Sequence, residues 1–164
     1  MKRLLFISLA VLTFQNIHSQ VAKDSELYLE FKRIDSFLFD NSFNKCKLEM
    51  IDSIISNDLE FYHDKGGLDF GKESFMTAMK NNICANWDKK PIRKLVDDSM
   101  EIYPLYENNV LYGVIQNGIH EFYIKEPKKE LYKTGIAKFT SVWLNENDTW
   151  VLKRVLSFDH KPVN

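Results

Sequence analysis

The sequence predicts an α+β domain in which three N-terminal helices pack on a strongly curved antiparallel sheet, forming a cone with a pocket. Helical spacing of apolar residues is confined to the part of the chain before residue 84. Beyond it, nearly every segment alternates apolar and polar residues with short polar links, the pattern of an antiparallel meander. Segregated helices and strands leave one solution for burial: the helices cover one face of the sheet. With 45% apolar and 13% aromatic residues, the chain has ample material for one core.

The first helix is predicted over 24–39, where Leu27, Phe31, Ile34 and Leu38 recur at helical spacing and Asp24 or Ser25 is available as its cap. Leu48, Ile51, Ile54 and Ile55 mark a second, shorter helix, followed by the aromatic strand "LEFYH". The stretch "EFYHDKGG" reads as a strand leaving the sheet through a glycine turn, and "GGLDFG" as a turn leading into a third helix over 72–83. "CANWDKKPIRK" reads as a solvated loop broken by Pro91, with Trp87 folded back. The remaining strands are "KLVDDSMEIYPLY", "NVLYGVIQNGIHEFYIK", "TGIAKFTSVWL" and "TWVLKRVLSFDH". Asn117-Gly118 suits either a hairpin turn or a bulge, and one long strand bent at Gly118 is preferred.

Residues 1–20 combine Lys2 and Arg3 with an apolar run from Leu4 to Phe14 and a short polar end, the pattern of a secretory signal peptide. The expectation is an exported protein, periplasmic or secreted, with 21–164 as a single domain and no membrane association once the leader is removed. Its loss takes two basic residues from the 22 and none of the 23 acidic ones, moving the net charge from −1 to −3. Nucleic acid is therefore not an expected partner. Two cysteines in an oxidising compartment favour a Cys46–Cys84 disulfide, with two separate buried thiols as the alternative.

The order of elements, the stretch "LEFYHDKGGLDFGKESF" and the closing strand from Trp150 to His160 resemble the nuclear transport factor 2-like superfamily, in particular its SnoaL-like branch of exported bacterial proteins of unknown function. The similarity runs from about Asp24 to His160. The resemblance implies a pocket between helices and concave sheet, and a homodimer formed through the outer sheet surface. It does not imply one activity, since the superfamily includes isomerases, cyclases, dehydratases, binding modules and scaffolds. Relatives often carry a histidine in the "KFTSVW" strand where this chain has Ser141.

Three histidines follow the leader, each on a strand or strand end. Strand alternation groups Leu59, Phe61 and His63 on one side, and likewise His120, Phe122 and Ile124. On the last strand Trp150, Leu152, Arg154, Leu156, Phe158 and His160 form one row, which in the resembling superfamily faces the pocket. The candidate catalytic residues are therefore His120, His160, His63 and Asp64, and the candidate ligand-binding residues are Arg154, Tyr62, Phe61, Phe122, Trp150 and Ser141. Three readings of the histidines stay open: hydrogen-bonded core residues, polar anchors for a small-molecule ligand, or a zinc site. No cofactor and no metal is expected, because no two histidines sit at close ligand spacing. Asp64 is expected to cap the turn.

The functional expectation is an exported domain binding a small, partly apolar molecule. The alternatives are a cofactor-independent isomerase, cyclase or lyase using the pocket histidines, with Arg154 or Tyr62 steadying an enolate, and a structural dimerisation domain whose cavity is filled by its own aromatics.

Overall fold

The computed structural model describes residues 20–163, so the leader expected over 1–20 lies, Gln20 apart, outside the described residues. Helix α1 (Glu26–Phe39) begins at Ser25, whose hydroxyl accepts from the Tyr28 N–H, and continues into a π turn over Asp40–Asn44. The expected second helix is a 3₁₀ segment, Leu48–Ile54. Helix α2 (Lys72–Ala78) runs on through a second π turn, Met79–Ile83, so the predicted span is helical but of mixed pitch. The described residues thus hold two α-helices and a 3₁₀ segment where three helices were expected.

Seven strands form one curved, unclosed sheet: β1 (Ile55–His63), β2 (Gly67–Phe70), β3 (Lys90–Leu95), β4 (Glu101–Glu107), β5 (Val110–Lys125), β6 (Tyr132–Glu146) and β7 (Thr149–Pro162). Their order is β2-β1-β7-β6-β5-β3, with β4 also on β5. The sheet is not wholly antiparallel, because β1 lies parallel to β7. "GLDF" is a strand and not a helix start: β2 pairs with β1 across the glycine turn. The expected loop around Pro91 contains β3, where proline is tolerated because β3 is an edge strand. Trp87 stays exposed instead of folding back. β3 and β4 share one side of β5 and are interrupted over Val96–Met100, where Ser99 Oγ accepts from the Ile119 N–H in place of a ladder partner.

The long strand β5 passes unbroken through Asn117-Gly118, which pair with Thr140 and Phe139. Gly118 is required because the Phe139 ring lies over it: an added Cβ would stand 2.6 Å from a ring carbon. Two hairpins turn on Asn108-Asn109 and Asn147-Asp148, all four at positive φ, which Asn and Asp tolerate best after glycine.

Phe31 and Leu38 of α1, Ile51 of the 3₁₀ segment, Leu59 of β1, Ile102 of β4, Val114 of β5, Trp143 of β6 and Leu152 of β7 make the core under the helices. Cys46 and Cys84 form a disulfide joining the segments that follow the two π turns, across 38 residues of chain. Beside it the buried Lys90 ammonium donates to the carbonyls of Phe43, Ile83 and Pro91. Among the described residues no helix is long and apolar enough to cross a membrane.

Gly118→Ala forces a methyl group into the Phe139 ring. Urea unfolding should show a loss of about 1–3 kcal/mol, the usual cost of overpacking.

Candidate functional site

The helices do not close completely on the sheet. Between them lies a cavity of about 290 Å³, roofed by Leu38, Phe39 and Phe43 from the first helical segment and by Phe75, Met79 and Ile83 from the second. The sheet contributes Phe61 and His63 from β1, His120 and Phe122 from β5, Phe139 and Ser141 from β6, and Leu152, Val155, Ser157 and His160 from β7. All three histidines therefore share one predominantly apolar hollow.

The β7 wall departs from simple alternation. Its pairing with β6 shifts at Lys153 and again at Asp159, each an extra residue on β7. Trp150 and Leu152 point toward the helices; after the first bulge Val155 and Ser157 face inward, and after the second His160 does. Arg154 is thereby turned to the outer face, where its Nε sits 3.0 Å from Glu60 Oε2 and it donates to the Asp58 carbonyl. Tyr62 is also outside and hydrogen-bonds Glu60. Trp150 does not line the hollow: its indole N–H donates to Glu30 and its ring packs edge-on against Phe31. These three expected ligand contacts are corrected by geometry, whereas Phe61, Phe122 and Ser141 do line the cavity. The second bulge places Asp159 at φ 60°, a conformation that costs a non-glycine residue on the order of 1 kcal/mol. That cost is offset in part by the ion pairs of Asp159 with Lys138 and Lys161.

His63 and Asp64 exchange their expected roles. His63 Nδ1 accepts from the Lys65 and Gly66 N–H groups, both at 3.0 Å, and so it is the histidine that caps the turn. Asp64 instead reaches across to β7, with Oδ1 2.6 Å from His160 Nδ1 and Oδ2 accepting from the His160 backbone N–H at 3.1 Å. This bond puts the proton of neutral His160 on Nδ1 and leaves Nε2 as a base facing Ser157 Oγ at 3.4 Å. Desolvation works against the ionised Asp64 carboxyl, but the His160 backbone and ring outweigh it and hold its pKa below the ordinary carboxylate value. The His63 ring stacks on His160, centroids 4.3 Å apart; desolvation, then the neighbouring His160, push its pKa down.

His63, Asp64 and His160 also present ligand-type atoms within 4.8 Å of one another. For metal binding the set is poorly prepared. His63 Nδ1 is occupied by two backbone donors, and a cation would have to replace the Asp64–His160 hydrogen bond. The arrangement suits proton handling better than coordination.

His120 is governed by a network that sequence reasoning missed. Asp35 of α1 and Arg93 of β3 form a buried two-pronged ion pair, at 2.6 and 3.0 Å. Gln116 bridges Asp35 to the Trp143 indole. The Arg93 guanidinium lies 3.6 Å above the Phe39 ring, and its Nε donates to His120 Nδ1 at 3.4 Å. With Nδ1 accepting, the His120 proton sits on Nε2, a buried N–H with no partner among the described residues. Burial, then the positive charge of Arg93, lower the His120 pKa to about 2. His120 is thus a neutral donor, not the acid–base group expected of it. One signal was legible: Asp35 stands in the buried stripe with Phe31 and Leu38, where a charge requires a partner.

No protein-family model matches the chain, and no curated protein matches it in sequence. Solved structures match it in fold. An NTF2-like superfamily protein from Salmonella enterica is 15% identical with a TM-score of 0.62, over 79% of this chain and 88% of that one. Aln2 from a Streptomyces species is 8% identical with a TM-score of 0.66, over 80% and 89%. The association domain of C. elegans CaMKII is 12% identical with a TM-score of 0.59, over 80% and 94%. The chain has the nuclear transport factor 2-like fold, as the resemblance implied. At these identities the likeness defines the fold alone.

Arg93→Met leaves Asp35 charged and buried without its partner, so chemical denaturation should show a loss of about 3–5 kcal/mol. His120 carries a second expectation. Its folded pKa lies below the unfolded value near 6.5, so between pH 6.5 and about 2 the unfolded chain binds the extra proton and stability falls as pH falls. In His120→Leu the pH slope of unfolding free energy between pH 6 and 4 should shrink by about 1.4 kcal/mol per unit.

Proposed function

We propose that the chain is an exported domain that binds a small, partly apolar molecule carrying a hydrogen-bond acceptor oxygen. The observation that carries this reading is the unpartnered, buried Nε2–H of His120, a residue that lines an apolar cavity. A buried donor without a partner costs about 1–3 kcal/mol, a penalty that an acceptor oxygen removes. The signal-peptide pattern and the Cys46–Cys84 disulfide support the periplasm or exterior. Pairing as a homodimer fits the outer sheet face, where Tyr62, Leu156 and Phe158 are exposed. The unfilled cavity counts against a purely structural domain.

A second reading, a cofactor-independent isomerase, cyclase or lyase, is favoured by the Asp64–His160 pair. His160 Nε2 would take a proton beside a carbonyl while the neutral His120 N–H stabilises the enolate oxygen. Arg154 and Tyr62, on the outer face, have no part in it.

Native mass spectrometry of protein purified from its own host should find a retained small molecule, and His120→Leu should retain it at least about tenfold less, the worth of one hydrogen bond. Wild-type protein that carries nothing, or a variant that retains it equally, contradicts the reading. Conversion of the retained molecule by wild type but not by His160→Gln would select the second reading.

A further inference from the structure

Ser157 and His160 are three residues apart on β7, a separation that puts side chains on opposite faces of a regular strand. Here both line the cavity, because the bulge at Asp159, with φ 60°, reverses the alternation between them. The bulge also brings the His160 ring and backbone N–H onto the two oxygens of Asp64. The result is a hydroxyl, an imidazole and a carboxylate in series: Ser157 Oγ 3.4 Å from His160 Nε2, and His160 Nδ1 2.6 Å from Asp64 Oδ1.

We propose that Ser157, His160 and Asp64 act as nucleophile, base and orienting carboxylate, transferring the acyl group of a small carboxylic ester held in the cavity. The proposal rests on the cavity being a small-molecule site and adds covalent chemistry to it.

Each part meets the requirement of its role. Asp64 fixes the tautomer that leaves His160 Nε2 with a lone pair, and its negative charge stabilises the imidazolium that forms there. His63, stacked on His160 and tied to its turn by two backbone N–H groups, steadies the ring, against which Phe122 is also stacked. The serine contact, at 3.4 Å, is long for a hydrogen bond, as catalytic contacts often are before substrate is bound. His120 lines the same cavity, and its Nε2–H, without a partner, is the donor available to a developing oxyanion.

In the first step Ser157 Oγ bonds to the ester carbonyl carbon and its proton passes to His160 Nε2. The carbon–oxygen bond to the leaving alcohol then breaks, and His160 returns the proton to that alcohol. Water attacks the acyl-serine with its proton taken by His160; the acid leaves and Ser157 recovers its proton. No oxidant, reductant or metal enters. The apolar lining around Phe61, Phe122 and Val155 suits a short aliphatic or aromatic acyl group.

The test is covalent labelling of the purified wild-type protein with a fluorophosphonate, read by intact mass and by peptide mapping. Serine attack on phosphorus with loss of fluoride should give one adduct, on Ser157. His160→Gln should slow labelling by about 100-fold or more, and Asp64→Asn should slow it as well. Ser157→Ala should take no label. An unlabelled wild-type protein after long exposure, an adduct on another residue, or unchanged labelling in His160→Gln overturns the proposal, and the wild-type map decides even if a variant fails to fold. Ligand retention is measured on the same wild-type sample before the reagent is added. Retention without label removes the nucleophile and keeps the binding site; label without retention does the reverse.

Discussion

The buried ion pair between Asp35 and Arg93 ties the helical layer to the sheet and sets the chemistry of the hollow between them. Two charges out of water are stable together only when their hydrogen-bonding groups are nearly all used. Here the carboxylate takes both guanidinium prongs and the Gln116 amide, and the Arg93 Nε–H turns to His120. The pair is less a source of net stability than a constraint on geometry. It fixes the register of α1 against β3 and β5, and it leaves the single proton of His120 on Nε2.

A second constraint acts on β7, one strand removed from β5 in the same sheet. The two bulges in β7 repartition a strand that would otherwise show its odd and even residues to separate faces. Between them they export Arg154, Leu156 and Phe158, import Val155 and Ser157, and return His160 to the cavity. The site is therefore assembled from a neutral donor on one side and a carboxylate-oriented imidazole on the other. The His120 and His160 rings stand 6.4 Å apart, centroid to centroid.

Much of this was legible in the residues. Periodicity located the helical layer, and turn chemistry located the hairpins, because four Asn and Asp residues at positive φ are the same ones that break the apolar alternation. Row membership placed His63, Phe61, His120 and Phe122 correctly, since β1 near its end and β5 up to Phe122 keep their alternation. The same rule failed for Arg154 because nothing in "VLKRVLSFDH" marks Lys153 as an extra residue. Ser157 was lost by the same slip. The Asp35–Arg93 pair spans 58 residues and required the fold to be seen, although an aspartate inside an apolar stripe was its visible half. Trp150 was misplaced for a different reason: its row was right, but it lies under α1, short of the cavity.

The fold shared with proteins of low identity supplies a hollow, and the side chains give it character. The central claim is that burial, then the charge of Arg93, holds His120 neutral, with the Arg93 hydrogen bond leaving its proton on Nε2. Nitrogen-15 NMR of the histidine rings tests it most directly. Between about pH 7 and pH 4 the His120 signals should stay those of a neutral ring protonated at Nε2, without a midpoint. A His120 ring that titrates near its ordinary value of about 6.5, or that carries its proton on Nδ1, would contradict the account.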